Sequence, residues 1–266
     1  MAKTSHAGAG FCLYTLCMRW AVRRQFIYAT AVLAVIALAI LAGYSAFFYQ
    51  APSCSDKAQN QREEGIDCGG PCASLCTAPQ VSALWTRAVE IAPGVYHAVA
   101  LVQNPRTDAG TNALPYAFSL YDGSGILVAE RSGVMYLDPG EIVPLLEPNV
   151  VTQNRIPARA FVSFGAALWQ KEARTDMPVR VVSQSLDSQA LRLTAHLANT
   201  NALPAPAFTV TAFLYDAGDN LVTASETQAD GLPARGEKDI VFTWQEPFSA
   251  PVVRADIIPR FSSPQR

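Results

Sequence analysis

Between Phe26 and Phe48 the chain reads FIYATAVLAVIALAILAGYSAFF, twenty-three residues without one charged side chain. As a helix, at 1.5 Å per residue, this run is roughly 34 Å long, enough to cross a hydrocarbon core of about 30 Å. Backbone in hydrocarbon must satisfy its own hydrogen bonds, which makes a helix the only single-segment solution. The run is therefore read as a transmembrane helix over residues 26–49. Arg19, Arg23 and Arg24 precede it, and Asp56, Lys57, Arg62, Glu63 and Glu64 follow. That excess of cations on the first side predicts a cytoplasmic leader over 1–25 and an extracytoplasmic bulk in a single-pass protein of the cell membrane. Tyr28 at one end and Tyr44, Phe47, Phe48 and Tyr49 at the other read as aromatic belts at the two headgroup layers. A cleaved signal peptide is the rival reading, but the run exceeds a normal apolar region and no clear small-x-small site follows. Lipidation at Cys54 is rejected, because Ala51, Pro52 and Ser53 separate it from the apolar run. Met18 is a second candidate start, with Cys12 and Cys17 before it.

Once the span is set aside, the remainder of the 266 residues has room for two domains of ordinary size. No acid precedes Asp56, so the rest of the chain holds all 22 acidic residues and only 16 of the 20 basic ones. A mildly acidic surface without a Lys/Arg run lacks the footprint needed to neutralise phosphate backbones, which argues against nucleic acid as a partner.

Four cysteines follow the span as Cys54-x13-Cys68-x3-Cys72-x3-Cys76, on the side where thiols oxidise. Two disulfides within a segment 50–79 are expected, and four cysteines permit three pairings. A zinc site is disfavoured by the spacing and by the compartment. Asp56, Asn60, Glu63 and Asp67 lie between the first two cysteines and offer the oxygens that Ca²⁺ prefers. The alternative is that they are solvated loop residues of a disulfide-stapled knob too short to fold on a core of its own. No other cofactor is implied.

The stretch CSDKAQNQREEGIDCGGPCASLC resembles a short Cys-rich motif, C-x-D-G-x-x-N-x-x-E-x-G-x-D-C-G-G-x-C, of extracellular and envelope proteins of bacteria. It departs from the motif at Lys57-Ala58, where the motif has its glycine context. The resemblance implies a module and no particular activity.

Beyond residue 80 the chain repeats itself. Ala117-Phe118-Ser119-Leu120-Tyr121-Asp122-Gly123 corresponds to Ala212-Phe213-Leu214-Tyr215-Asp216-Ala217, Asn104 to Asn199, and Gly140-Glu141 to Gly236-Glu237. Each copy alternates apolar and polar residues in short runs broken by Gly, Pro, Asn and Asp, the pattern of a β-sandwich. Strands are predicted over 83–91, 96–103, 116–121, 127–134, 141–146 and 159–164 in the first copy. In the second they fall over 179–184, 190–198, 208–215, 221–228, 238–243 and 252–258. Asp122-Gly123-Ser124-Gly125 and Asp216-Ala217-Gly218-Asp219-Asn220 read as matching hairpin turns. Domains are drawn over 80–169 and 179–266, and the polar stretch 170–178, ending at Pro178, reads as a linker that permits a mobile pair.

The Leu-Tyr-Asp signature resembles the bacterial FxLYD-type domain, complete in Phe118, Leu120, Tyr121 and Asp122 and shorter by the Phe, replaced by Ala212, in the second copy. The resemblance implies an all-β ectodomain of two tandem immunoglobulin-like β-sandwiches, and the layout is similar to uncharacterised envelope proteins of small-genome bacteria. Tyr121, Asp122, Tyr215 and Asp216 are expected to shape turns rather than bind, Asp by capping and Tyr by packing the rim.

Catalytic patterns do not appear. His6, His97 and His196 are scattered, and there is no Gly-x-Ser-x-Gly elbow, phosphate-binding glycine loop or His-Glu-x-x-His. Trp85, Trp169 and Trp244 are expected in core or interdomain packing before sugar stacking. The sequence thus predicts a non-enzymatic, membrane-anchored interaction or scaffold protein with envelope or surface proteins as partners. The alternative is a surface adhesin for an external glycan or peptide.

Overall fold

The computed structural model describes residues 20–47 and 53–262. His6, Cys12, Cys17, Met18, Phe48 and Tyr49, singled out above, lie outside the described residues. Two compact units result, divided after Ser53.

The first unit holds α1 (Trp20–Phe47), 28 residues long. It starts six residues before the predicted span because Arg23 and Arg24 are good helix formers, and the Arg24 guanidinium sits 4.1 Å over the Trp20 ring. Val22–Ala46 is long and apolar enough to cross a membrane. Apolar side chains such as Val32, Leu33, Ile36 and Leu41 are exposed, and a helix apolar on all sides finds its stable surroundings in lipid or a protein core.

The second unit is all β. Its strands are β1 (Ser82–Ala92), β2 (Val95–Gln103), β3 (Ala109–Tyr121), β4 (Leu127–Leu137), β5 (Ile142–Val151), β6 (Arg159–Phe164), β7 (Gln170–Lys171), β8 (Val179–Asp187), β9 (Arg192–Asn199), β10 (Phe208–Tyr215), β11 (Leu221–Ala229), β12 (Glu237–Thr243) and β13 (Arg254–Phe261). In the first half, sheet β1-β2-β5 faces sheet β4-β3-β6, and in the second half β8-β9-β12 faces β11-β10-β13. The strand orders are identical when β1–β6 are laid on β8–β13. Even the irregularities repeat: Leu84 and Val182 are bulged out of register at the same place in β1 and β8. Val128 and Val222 are skipped at the same place in β4 and β11.

Each half encloses its own core. Alternate residues Ala98, Ala100 and Val102 of β2 and Phe118 and Leu120 of β3 meet inside the first, joined by Leu137 and Val143. Leu193, Ala195 and Leu197 of β9 meet Phe208, Val210, Ala212 and Leu214 of β10 inside the second. Phe118 of the first half thus has Ala212 as its counterpart, and the missing Phe of the second signature is a smaller side chain at the same core position.

The other faces of β2 and β10 are buried as well. Val99, Phe213, Tyr215 and Ala224 form a third apolar cluster with Trp85, Leu101, Leu146, Leu221 and Ile258 packed on it. Trp85 and Phe213 meet edge to face at 5.3 Å. The sheet β1-β2-β5 of one half therefore packs on β11-β10-β13 of the other, and four sheets are stacked in one compact unit. A mobile pair is not what this packing describes. The expected linker differs too: Gln170 and Lys171 form β7, paired with Ala109 and Gly110 of β3.

Candidate functional site

The cysteine segment is built first. Cys54 bonds Cys72 and Cys68 bonds Cys76, an interleaved pairing that selects one of the three open combinations. Its chain follows a series of left-handed turns at Lys57, Gln61, Arg62, Asp67, Gly69 and Gly70. Lys57, with φ of 62°, occupies a conformation that glycine adopts without strain. Gly65 is required by crowding, since a Cβ there would stand 2.9 Å from Cys68 Sγ and 3.1 Å from Cys76 Sγ.

The structure brings Asp56, Asn60, Glu63 and Asp67 into one hydrogen-bonded chain. Asp56 Oδ1 accepts from Ala58 N at 2.9 Å and Oδ2 from Asn60 Nδ2 at 2.7 Å. Glu63 Oε2 accepts from Asn60 N at 3.2 Å and Asp67 N at 3.3 Å, and both Asp67 oxygens accept from Lys57 N at 3.1 Å. Glu63 is only 6% exposed, so its carboxylate needs those N–H donors to offset desolvation. These four side chains act as internal caps for turns too short for regular structure. Glu63 Oε1 also lies 3.0 Å from Cys72 Sγ, a disulfide sulfur without a proton. Neither Cys54 nor Cys72 is a thiolate ligand while bonded to the other, although a Glu63 carboxylate oxygen lies within 4.8 Å of both sulfurs.

The knot is docked on the first half. Leu75 N donates to Trp169 O at 2.9 Å, Lys171 N to Ala73 O at 2.7 Å, and Trp169 itself is 4% exposed in the first core. β7 is thereby held between β3 and the knot.

The repeated signature residues shape turns. Asp122 Oδ1 accepts from Ser124 N at 2.9 Å and Ile126 N at 3.0 Å, while Asp216 Oδ1 accepts from Gly218 N at 2.8 Å and Asn220 N at 2.9 Å. These bonds hold the Asp216 carboxyl below the usual carboxylate range, the backbone N–H of Asn220 contributing most. Tyr121 packs edge to face on Phe161, and Tyr215 carries Arg254 on its ring face at 4.0 Å.

Asn104 and Asn199 are 1% and 3% exposed and do the same work. Asn104 Nδ2 donates to Ala109 O and Asp138 O, both at 2.8 Å, and its Oδ1 accepts from Arg106 N. Asn199 Nδ2 donates to Leu203 O and Pro233 O, and its Oδ1 accepts from Asn201 N. Following these bonds onward moves one correspondence by a residue. Gly140 N donates to Arg106 O as Arg235 N does to Asn201 O, so Gly140 corresponds to Arg235, and both have positive φ.

Among the described residues, His97 and His196 have separate partners. His97 Nδ1 accepts from Asn149 N at 3.2 Å, and burial lowers its pKa. His196 is less isolated than its sequence suggested: Nδ1 lies 2.7 Å from Asp239 and Nε2 3.2 Å from Glu237, both on the neighbouring strand β12. The two carboxylates, Asp239 first, raise its pKa. Ser183 is its partner in register on the other side, but both ring nitrogens already face carboxylates. A cross-strand pairing at opposite residues is visible only once the register is known, which is why the sequence did not reveal it.

Between the halves lie two features that the sequence did not signal. Arg260 of β13 makes a two-pronged ion pair with Glu141 at 3.0 and 3.1 Å, donates to Tyr136 O at 2.7 Å and covers the Tyr136 ring at 3.6 Å. Tyr136 OH in turn donates to Phe261 O, and both charged side chains are largely buried, at 13% and 16% exposed. The second is a cleft of about 600 Å³, walled by Glu90 and His97 of the first half and by Val222–Glu226 of β11 with the Thr243–Ser249 loop of the second.

Compared with known protein families and with curated proteins, the chain matches none.

Proposed function

We propose that this chain is a membrane-anchored, extracytoplasmic interaction or scaffold protein of the cell envelope, without catalytic activity. In this reading α1 spans the membrane with its N-terminal end in the cytoplasm, and the β stack stands outside. The observation that carries the reading is the disulfide-crosslinked knot docked on the stack. It begins within a few residues of a membrane-length helix, and two bonded pairs there fit an oxidising compartment. The halves are read as tandem immunoglobulin-like sandwiches of the FxLYD type, which is supported by their equal strand order and their shared aspartate-capped turn.

The polar residues that attracted attention in the sequence serve in turns, strand ends and the interdomain join. What remains for function is surface, namely sheet edges, end loops and the cleft, the features by which such folds bind other proteins. The test is crosslinking of the tagged full-length chain in its own cells, followed by purification from membranes and mass spectrometry. Reproducible recovery of one set of envelope proteins is expected. Recovery of the bait alone, or from the soluble fraction, would overturn the reading.

A further inference from the structure

The cleft between the halves has three properties that point to one kind of occupant. Its wall includes Val222–Glu226 of β11, buried at Val222, Thr223 and Ala224 and accessible at Ser225 and Glu226. Among the described residues β11 is paired with β10 alone, so from Ser225 to Gln228, where the strand is accessible, its other edge is an unpaired row of backbone donors and acceptors. The charges around the cleft are of one sign: Glu90, Glu226 and Glu246 line it with no Lys or Arg, and all three are exposed. Glu226 stands on the face turned toward the first half, fixed by Thr211 Oγ1 at 3.0 Å. Finally, Trp244 and Phe248 line it as an edge-to-face pair at 5.4 Å, and the indole N–H of Trp244 is buried without a hydrogen-bond partner.

We infer that this cleft binds an extended segment of a partner protein that adds as a strand to β11 and carries Lys or Arg side chains toward Glu90, Glu226 and Glu246. An unpaired edge supplies main-chain affinity, and what lines it supplies selectivity. The carboxylates favour cationic side chains through charge-assisted hydrogen bonds, and the aromatic pair receives their apolar stems. The volume is within the range of specific binding sites, and junctions between domains are where such sites tend to form. The inference rests on the interaction-protein reading and names the site and the chemistry of the partner.

The experiment uses the full-length chain in detergent micelles and fluorescent heptapeptides read by anisotropy. The probe alternates lysine and valine. Its companions are a glutamate-valine peptide, the lysine peptide with alternate backbone nitrogens methylated, and free lysine amide as competitor. The lysine peptide should bind, the glutamate peptide should not, and methylation should remove most of the binding. The paired substitution Glu226→Gln with Glu246→Gln should weaken the lysine peptide roughly tenfold. Equal binding of both charges, binding untouched by methylation, or displacement by lysine amide at matched concentration would each overturn strand addition of a basic segment. Failure here with an envelope complex still recovered by crosslinking removes this site and leaves the interaction reading standing. Failure of both removes the two together.

Discussion

Asn104 and Asn199 close the ends of β2 and β9 with bonds no apolar side chain can make. Asn104→Ala would strand the buried Ala109 carbonyl, the half-buried Asp138 carbonyl and the Arg106 N–H, so a loss of about 2–4 kcal/mol is expected in urea unfolding followed by tryptophan fluorescence. Asn104→Asp, which keeps the acceptor and loses both donors, should cost nearly as much. The sequence marked these residues as equivalent but could not say what they hold, because their partners are backbone atoms up to 34 residues away. Lys57 and Arg235 are the opposite case, exposed side chains at φ of 62° and 54°. Replacing either by glycine should stabilise the fold by roughly 1 kcal/mol, read as a higher unfolding midpoint. Arg235 also shows how sequence matching went astray. Matching letters set Gly140 against Gly236, whereas the turn requires a left-handed residue one position earlier.

At the scale of elements, twelve of the strands were legible from alternation and turn residues, and β6 and β10 have the predicted limits. β7 was not, since two residues carry no period and owe their conformation to the knot and to β3. β9 and β12 meet at His196, whose raised pKa gives a signed expectation. Its pairing with Asp239 and Glu237 contributes stability that is fully present below pH 6.5 and is lost as pH rises through the higher value in the folded state. His97 acts in reverse: its lowered pKa means stability present above pH 6.5 and lost as pH falls through the folded value. An NMR titration should find one of these rings titrating above the ordinary range and the other below it, and His196→Gln should remove the first resonance along with the alkaline part of the pH dependence. The knot is an element of a different kind, held by covalent bonds in place of a core. Opening the Cys54–Cys72 bond by paired serine substitution, across a separation of 18 residues, should cost about 3 kcal/mol. Protease sensitivity should then appear between residues 54 and 76 before it appears in the strands.

For the whole molecule, the join between the halves is the property that the sequence concealed. β2 and β10 are buried on both faces, and an apolar run that marks a strand does not say what covers its second face. Phe213, 1% exposed, belongs to neither core. Phe213→Ala should destabilise by about 3–5 kcal/mol and split one calorimetric transition into two, as each half comes to melt alone. The join also brings unlike faces together, the β2 sheet of one copy against the β10 sheet of the other. Positions at the join are apolar, Trp85, Val99, Leu101 and Phe213, where their counterparts on the two outward sheets are Ser183, Thr194, His196 and Ser119. A head-to-tail contact between copies of one fold has no symmetry to close it, and only the polarity of the end faces stops the series at two. Were Ser119 exchanged for phenylalanine and Thr194 and His196 for valine and leucine, each end would offer what the middle hides, and the molecules should line up, one after another, into filaments visible by electron microscopy.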